Sequence, residues 1–241
     1  MTNAKSPPAS GHARAATVWT VILLLIAVVV VFAVIRVMTD FPLLLSGEAA
    51  EEGEFEERYV RFAVPAYLHI VPGMIYLIGA CFQLSRRFRT RHLAVHRRLG
   101  KVVLSAGLLS GIFALVFGAP HSFGGFWESV ATVVFSSYFL IALGLALRSI
   151  LRRDITAHRR WMIRAFAIGL AVGTIRLWVG LFAGLGVLSL QESFAPAFWI
   201  AFTLHAIAAE LWLRWRPSAS GRRPMPDAGR PTATARSEVD A

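Results

Sequence analysis

The feature that most constrains this chain is a basic run, Arg86-Arg87-Phe88-Arg89-Thr90-Arg91-His92-Leu93-Ala94-Val95-His96-Arg97-Arg98-Leu99-Gly100-Lys101, set between two long apolar stretches. A shorter echo follows at Asp154-Ile155-Thr156-Ala157-His158-Arg159-Arg160-Trp161-Met162-Ile163-Arg164. Cations between segments that water cannot dissolve have no place in a soluble fold. In a polytopic membrane protein they decide which ends of the spans face the cytoplasm.

Composition agrees. Hydrophobic residues make up 56% of the 241 positions, charged residues 16%, and the mean hydropathy is +0.59, which is more apolar than soluble domains. The formal net charge of +11 lies in loops and tails beside apolar spans and lacks the aromatic-interleaved basic surface of a nucleic-acid binder. Anionic lipid is the partner that such cations fit. Cys81 is the single cysteine, which excludes a disulfide framework and a thiolate metal cluster.

In chain order, residues 1–16 read as a disordered cytoplasmic tail and 17–213 as a six-span domain, closed by a basic disordered tail over 214–241. The spans fall at Val18–Val34, Arg61–Leu84, Val102–Ala119, Ser129–Leu147, Ile163–Val187 and Phe198–Leu213. Residues 39–60 form an acidic outer loop with room for a short surface helix. Pro65 and Pro72 are expected to bend or locally unwind the second span. Thr132 and Ser136, one turn apart, read as interhelical contacts.

Lys and Arg number 2 in the N-terminal tail, 7 from Arg86 to Lys101, 6 from Arg148 to Arg164 and 6 in the C-terminal tail, 21 of the 25. The layout puts all four regions on one side, so the fold expected is an all-α six-helix transmembrane bundle with both termini inside. That side is expected to be the cytoplasm, with the chain in an inner membrane. The two His-Arg-Arg triplets, at His96 and His158, lie 62 residues apart at the same end of successive helical hairpins, the pattern a parallel duplication would leave.

Five sets of residues are candidates for function. His69 and His205 lie at matched depth in spans two and six, roughly 12 Å from the outer boundary at 1.5 Å per residue, and could be the axial ligands of a haem b. The plainer alternative is that each hydrogen-bonds a neighbouring helix. His96 and His158 form a second matched pair at the cytoplasmic boundary, where the plainer role is to pin helix ends. Arg97, Arg98, Arg159 and Arg160 suit lipid phosphate. Arg176 lies about thirteen residues into span five, where a guanidinium must face the bundle interior, paired with Glu128, Glu192 or a bound anion. Tyr76 and Gln83 recur with His69 at seven-residue intervals on one face of span two and read as substrate-contacting or interhelical hydrogen-bonding groups. Glu210 reads as interfacial. No metal site apart from a haem iron is indicated, and no G-x-S-x-G, H-E-x-x-H or Walker loop is present, so hydrolytic chemistry is not expected.

His69 with Gly73, Gly79 and Gln83, the His96-Arg97-Arg98-Leu99-Gly100 run, Gly111, Asp154 with the His158–Arg164 run, and Arg176 together resemble the bacterial family called domain of unknown function 2306, over about residues 65–190. The resemblance implies a membrane-embedded helical core with recurrent polar residues and implies no activity. Two functions stay open at this stage: a haem-binding redox or electron-transfer protein, and a small transporter or anion-binding protein centred on Arg176. A non-catalytic accessory subunit is a third.

The layout makes a direct prediction. Single cysteines replacing Glu52 and Asp227 should react with an impermeant reagent from opposite sides of the membrane. Labelling from the same side contradicts the six-span arrangement.

Overall fold

The computed structural model describes residues 9–51 and 53–215, with side chains from residue 16 onward. The helices are α1 (Ala9–Ser46), α2 (Glu57–Arg61), α3 (Ala63–Leu84), α4 (Arg86–Arg91), α5 (Leu93–Phe113), α6 (Phe126–Leu151), α7 (Ile155–Gly184) and α8 (Leu190–Trp215), with a π-helical turn over Ala114–Gly118 that prolongs α5. The described residues contain no strand. Six helices are long and apolar enough to cross a bilayer, so the expected all-α six-span bundle stands.

The spans run longer than hydropathy alone suggested. The apolar part of α1 covers Ala16–Ser46, 31 residues or about 46 Å, which exceeds a hydrocarbon core of ~30 Å. Its last turns therefore stand beyond the core at the end bearing the acidic loop. What keeps them helical is an i,i+4 ion pair, Arg36 Nη2 to Asp40 Oδ1 at 3.0 Å. Asp40, expected in the loop, is thus a fully buried helical residue. Helix α1 also begins at Ala9, inside the segment read as a tail, whereas residues 216–241 of the C-terminal tail lie outside the described residues. The short helix allowed for in the acidic loop is α2, and α3 is unbroken through Pro72.

The basic run is largely helical. Ser85 Oγ accepts the Phe88 amide at 3.4 Å to start α4, and His96, Arg97 and Arg98 already belong to α5. Asp154 Oδ1 accepts the Ala157 amide at 2.9 Å and so caps α7.

Helix α7 is the hub. It packs against α6 and α8 and more lightly against α1 and α3, while α3 packs on α5 and has no close approach to α8. Within the most apolar 18-residue window, 44% of α7 is buried against 11% of α1. The centre of α7 is built from small residues, Ala165, Gly169, Ala171 and Gly173, which let neighbouring backbones approach in lipid, where no hydrophobic force drives helices together. At Gly173 a Cβ would sit 2.6 Å from the Leu25 carbonyl oxygen of α1. At Gly169 it would sit 3.1 Å from the Tyr76 ring, whose other edge is met by Gly107 of α5 at 2.6 Å. Two glycines on two helices therefore hold the Tyr76 ring in one plane.

Gly173→Ala should force α1 off α7 and lower the melting temperature of the detergent-solubilised protein. Gly144→Ala, where a Cβ meets nothing within 4 Å, should leave it unchanged or raised, since alanine is favoured over helical glycine by up to ~1 kcal/mol. Equal behaviour of the two variants contradicts a tight α1–α7 crossing.

Candidate ligand-binding cavity

Helices α1, α3, α5, α6, α7 and α8 enclose a cavity of about 540 Å³. Residues from Glu128 to Phe139 of α6 line it, a length of about 16 Å along that helix at 1.5 Å per residue. Its walls are mainly aromatic and aliphatic, among them Phe139, Ile168, Val172, Phe198 and Phe202. A few polar groups are placed within this apolar surround, the usual character of a small-molecule site.

The acidic-loop end is closed by ion pairs. Arg36 Nη2 binds Asp40 at 3.0 Å and Glu56 Oε1 at 2.9 Å, and Tyr67 donates its hydroxyl to Asp40 Oδ2 at 3.1 Å. Arg58 Nη1 donates to the His121 carbonyl at 3.0 Å and lies 3.8 Å from Glu128 Oε1, a carboxylate 3% exposed. Glu128 also accepts the Gly124 amide. The Arg58 guanidinium lies against Phe55, 4.4 Å from its centroid, and is flanked by Tyr59, Phe123 and Phe194, with cation–π attraction adding to the ion pair. In the adjoining turn the His121 imidazole stacks on Phe62 at 3.7 Å. Burial, followed by the charges of Arg61 and Arg58, holds its pKa below the usual imidazole value.

Arg176 also lines the cavity, on the interior side where its depth requires it to be. Its guanidinium lies 5.4 Å from the Phe32 ring centroid. Both carboxylates that the sequence offered it are engaged elsewhere: Glu128 with Arg58 and Gly124, and Glu192 with Ser189 Oγ at 2.6 Å. Among the described residues, no carboxylate oxygen lies within 4.0 Å of Arg176. Among the described residues, Arg176 is therefore the cavity arginine without an ion pair.

The hydroxyls tell a similar story. Tyr76 is 2% exposed and Thr132 7% exposed, both line the cavity, and neither hydroxyl has a partner among the described residues. Buried polar atoms are nearly always hydrogen-bonded. Thr132 and Ser136, read as interhelical contacts, line the cavity, and the Thr132 methyl carbon would lie 3.3 Å from a Cβ on Gly118. His69 Nδ1 bonds the Ser110 carbonyl at 2.9 Å, and Ser110 Oγ donates to the His69 carbonyl at 2.8 Å. Because a carbonyl only accepts, Nδ1 carries the proton, and the ring lies on the cavity wall. Gly73 makes room for this pairing, since a Cβ there would lie 2.8 Å from Ser110 Oγ.

The remaining candidates lie apart. His205 does not line the cavity; its Nε2 is 2.8 Å from Thr174 Oγ1 of α7. The imidazoles of His69 and His205 thus do not face a common space, and their helices are not neighbours. His158 Nδ1 bonds the Ala146 carbonyl at 2.9 Å, whereas His96 Nδ1 is buried without a partner among the described residues, so the two triplets are not equivalent. Gln83 Nε2 is likewise unpartnered, with Gly100 against the side-chain oxygen and the cavity beyond reach. Arg97, Arg98 and Arg159 are exposed and Arg160 half-buried. Arg89 is held below the usual guanidinium pKa by burial and then by Arg159 and Arg86, so α4 and the start of α7 gather cations at the basic end. Glu210 forms a two-point pair with Arg164, at 2.6 and 3.0 Å.

Sequence reasoning missed Arg36, Arg58, Ser110 and the pairing role of Glu128. The only signal for Arg58 was its place in the aromatic-flanked stretch from Phe55 to Tyr59.

Fold and site together define a multi-pass helical membrane protein with an internal cavity of ligand size. The chain belongs to the family of predicted membrane proteins designated DUF2306, which matches residues 66–213. That match extends past Arg176 to take in His205 and nearly all of α8. No curated protein and no solved structure matches the chain.

Glu128→Gln should destabilise the protein by about 3–5 kcal/mol, because it leaves the buried Arg58 charge without its partner. Glu57→Gln, in the pair whose Arg61 side chain is 69% exposed, should cost less than about 1 kcal/mol. Chemical denaturation of the two variants in detergent compares them, and equal losses contradict the assignment.

Proposed function

We propose that this is an anion-binding protein of the bacterial cytoplasmic membrane, of the small-transporter class, with its ligand held in the cavity and Arg176 as the counter-charge. The observation that carries the reading is the placement of Arg176 on the cavity wall, with both nearby carboxylates committed to other groups. Tyr76 and Thr132 then donate hydrogen bonds to the ligand. His69, fixed by Ser110, lines the same cavity. The apolar walls exclude water, which strengthens each of these polar contacts.

The reading includes an orientation. With both termini inside, the acidic-loop end faces outward and the exposed Arg97, Arg98 and Arg159 meet the phosphates of anionic lipid. No proton relay or hydrolytic step is part of it.

A haem reading retains one supporting observation: the His69 ring lines an aromatic cavity and is anchored through Nδ1, as metal-ligating imidazoles are. It lacks a second axial ligand, since His205 is engaged by Thr174. A reduced b-type spectrum lost in His69→Ala and kept in His205→Ala supports a single-imidazole haem. A colourless preparation from haem-replete cells removes the reading.

The anion reading is tested by melting the purified protein with added hexanoate at constant ionic strength. A ligand at 100 times its Kd stabilises by ~2.7 kcal/mol, so wild type should melt at a higher temperature with hexanoate. Arg176→Leu should show no shift, and Arg176→Lys a reduced one. Identical shifts in wild type and Arg176→Leu contradict the proposal.

A further inference from the structure

We infer that the ligand is a membrane-dissolved amphiphile, a single long chain with an acidic head, that enters the cavity sideways through a slot between α1 and α7. This rests on the anion reading and adds to it the ligand class and the route of entry.

The route follows from where the two helices touch and where they part. They run in the same direction and meet at Leu25 and Gly173, where a Cβ on Gly173 would lie 2.6 Å from the Leu25 carbonyl oxygen. Toward the acidic-loop end, α1 continues with Val29, Phe32 and Arg36, and α7 with Arg176, Gly180 and Gly184, all six lining the cavity. Gly173, Arg176, Gly180 and Gly184 are spaced three, four and four apart, so they share one face of α7. A Cβ on Gly180 or Gly184 would meet nothing within 4 Å, and Phe32 across from them is 43% exposed. Beyond the crossing the helices therefore stand apart over a floor of glycine, and the cavity opens between them on the bilayer side.

The direct route from water is obstructed. The acidic-loop end is filled by the Arg36–Asp40–Glu56 and Arg58–Glu128 groups and by Phe55, Phe123 and Phe194, whose ring centroids lie 5.2 to 5.3 Å apart. A small hydrophilic anion would have to break this packing, whereas a molecule already in the bilayer would not.

Charge and burial set the position of the head. Arg176 lies at the inner end of the slot, one turn from the Gly173 crossing, and supplies the charge. Tyr76, 2% exposed, lines the same cavity, and its hydroxyl is buried without a partner among the described residues. It is held in plane by Gly107 and Gly169. An acidic head with two or more acceptor oxygens pairs with the Arg176 guanidinium. The chain then lies along Gly180 and Gly184, where no side chain occupies the space, and extends into the surrounding lipid.

The test uses the full chain in nanodiscs, with radiolabelled oleate and oleoyl lysophosphatidate as long-chain probes and acetate as the short one, empty discs being subtracted. Wild type should bind one of the long-chain acids at least tenfold more tightly than acetate. Gly180→Leu, whose Cβ would meet nothing within 4 Å, should weaken the long-chain acid tenfold or more and leave acetate unchanged. Arg176→Leu should abolish both. Binding of acetate as tight as that of the long-chain acids, or a Gly180→Leu variant that binds them like wild type, overturns the slot and leaves the anion reading standing. Failure of both long-chain acids to bind wild type also overturns the inference. Unchanged binding in Arg176→Leu overturns the anion reading itself.

Discussion

A guanidinium in the hydrocarbon region costs at least ~2.5 kcal/mol even after snorkelling and water defects relieve it, and Arg176 of α7 is placed there with its guanidinium 5.4 Å from the Phe32 ring centroid. Much of the bundle is arranged around that cost. The helix that carries it is the most buried of the six, and its small residues bring α1, α3 and α6 close enough to wall a cavity around the charge. The carboxylates that the sequence offered Arg176 are engaged elsewhere, Glu128 by Arg58 and Glu192 by Ser189. The charge is left for something that enters the cavity.

The two ends of the molecule handle their arginines in opposite ways. At the basic end Arg86, Arg89 and Arg159 crowd together near the boundary, where lipid phosphate can neutralise them. At the acidic-loop end every arginine near the cavity mouth is paired within the protein or covered by aromatic rings, as Arg36 and Arg58 are. With that mouth filled, the more open wall of the cavity is the one where α1 leaves α7. Glycine at 180 and 184 is what keeps that wall thin.

How much of this could be read from residues alone depends on whether a feature is local or tertiary. The six spans are local: an apolar stretch of sufficient length declares itself, and so does a cation buried in the middle of one. That is why Arg176 stood out and why its inward orientation followed. The end of α1 was misplaced at Val34 because hydropathy falls there, while the Arg36–Asp40 pair that carries the helix onward depends on side-chain spacing and on Glu56 arriving from the next loop. The Arg58–Glu128 pair joins residues 70 positions apart, with no periodicity to announce it. His69 and His205 matched in depth along their helices, but depth says nothing of rotation, and it is rotation that turns His69 to the cavity and His205 to Thr174. Thr132 and Ser136 shared a face as expected; which neighbour that face meets is set by the packing of α6 on α7.

The central claim is that the cavity holds a small acidic molecule by Arg176. Native mass spectrometry of the protein released from its own membranes in mild detergent addresses this most directly, because no ligand need be guessed beforehand. The account predicts a non-covalent adduct of defined mass on the wild-type protein, read as an acid in negative-ion mode after dissociation, and its absence from Arg176→Leu purified in the same way. A wild-type protein that carries no such adduct, or an adduct retained equally by Arg176→Leu, would contradict it.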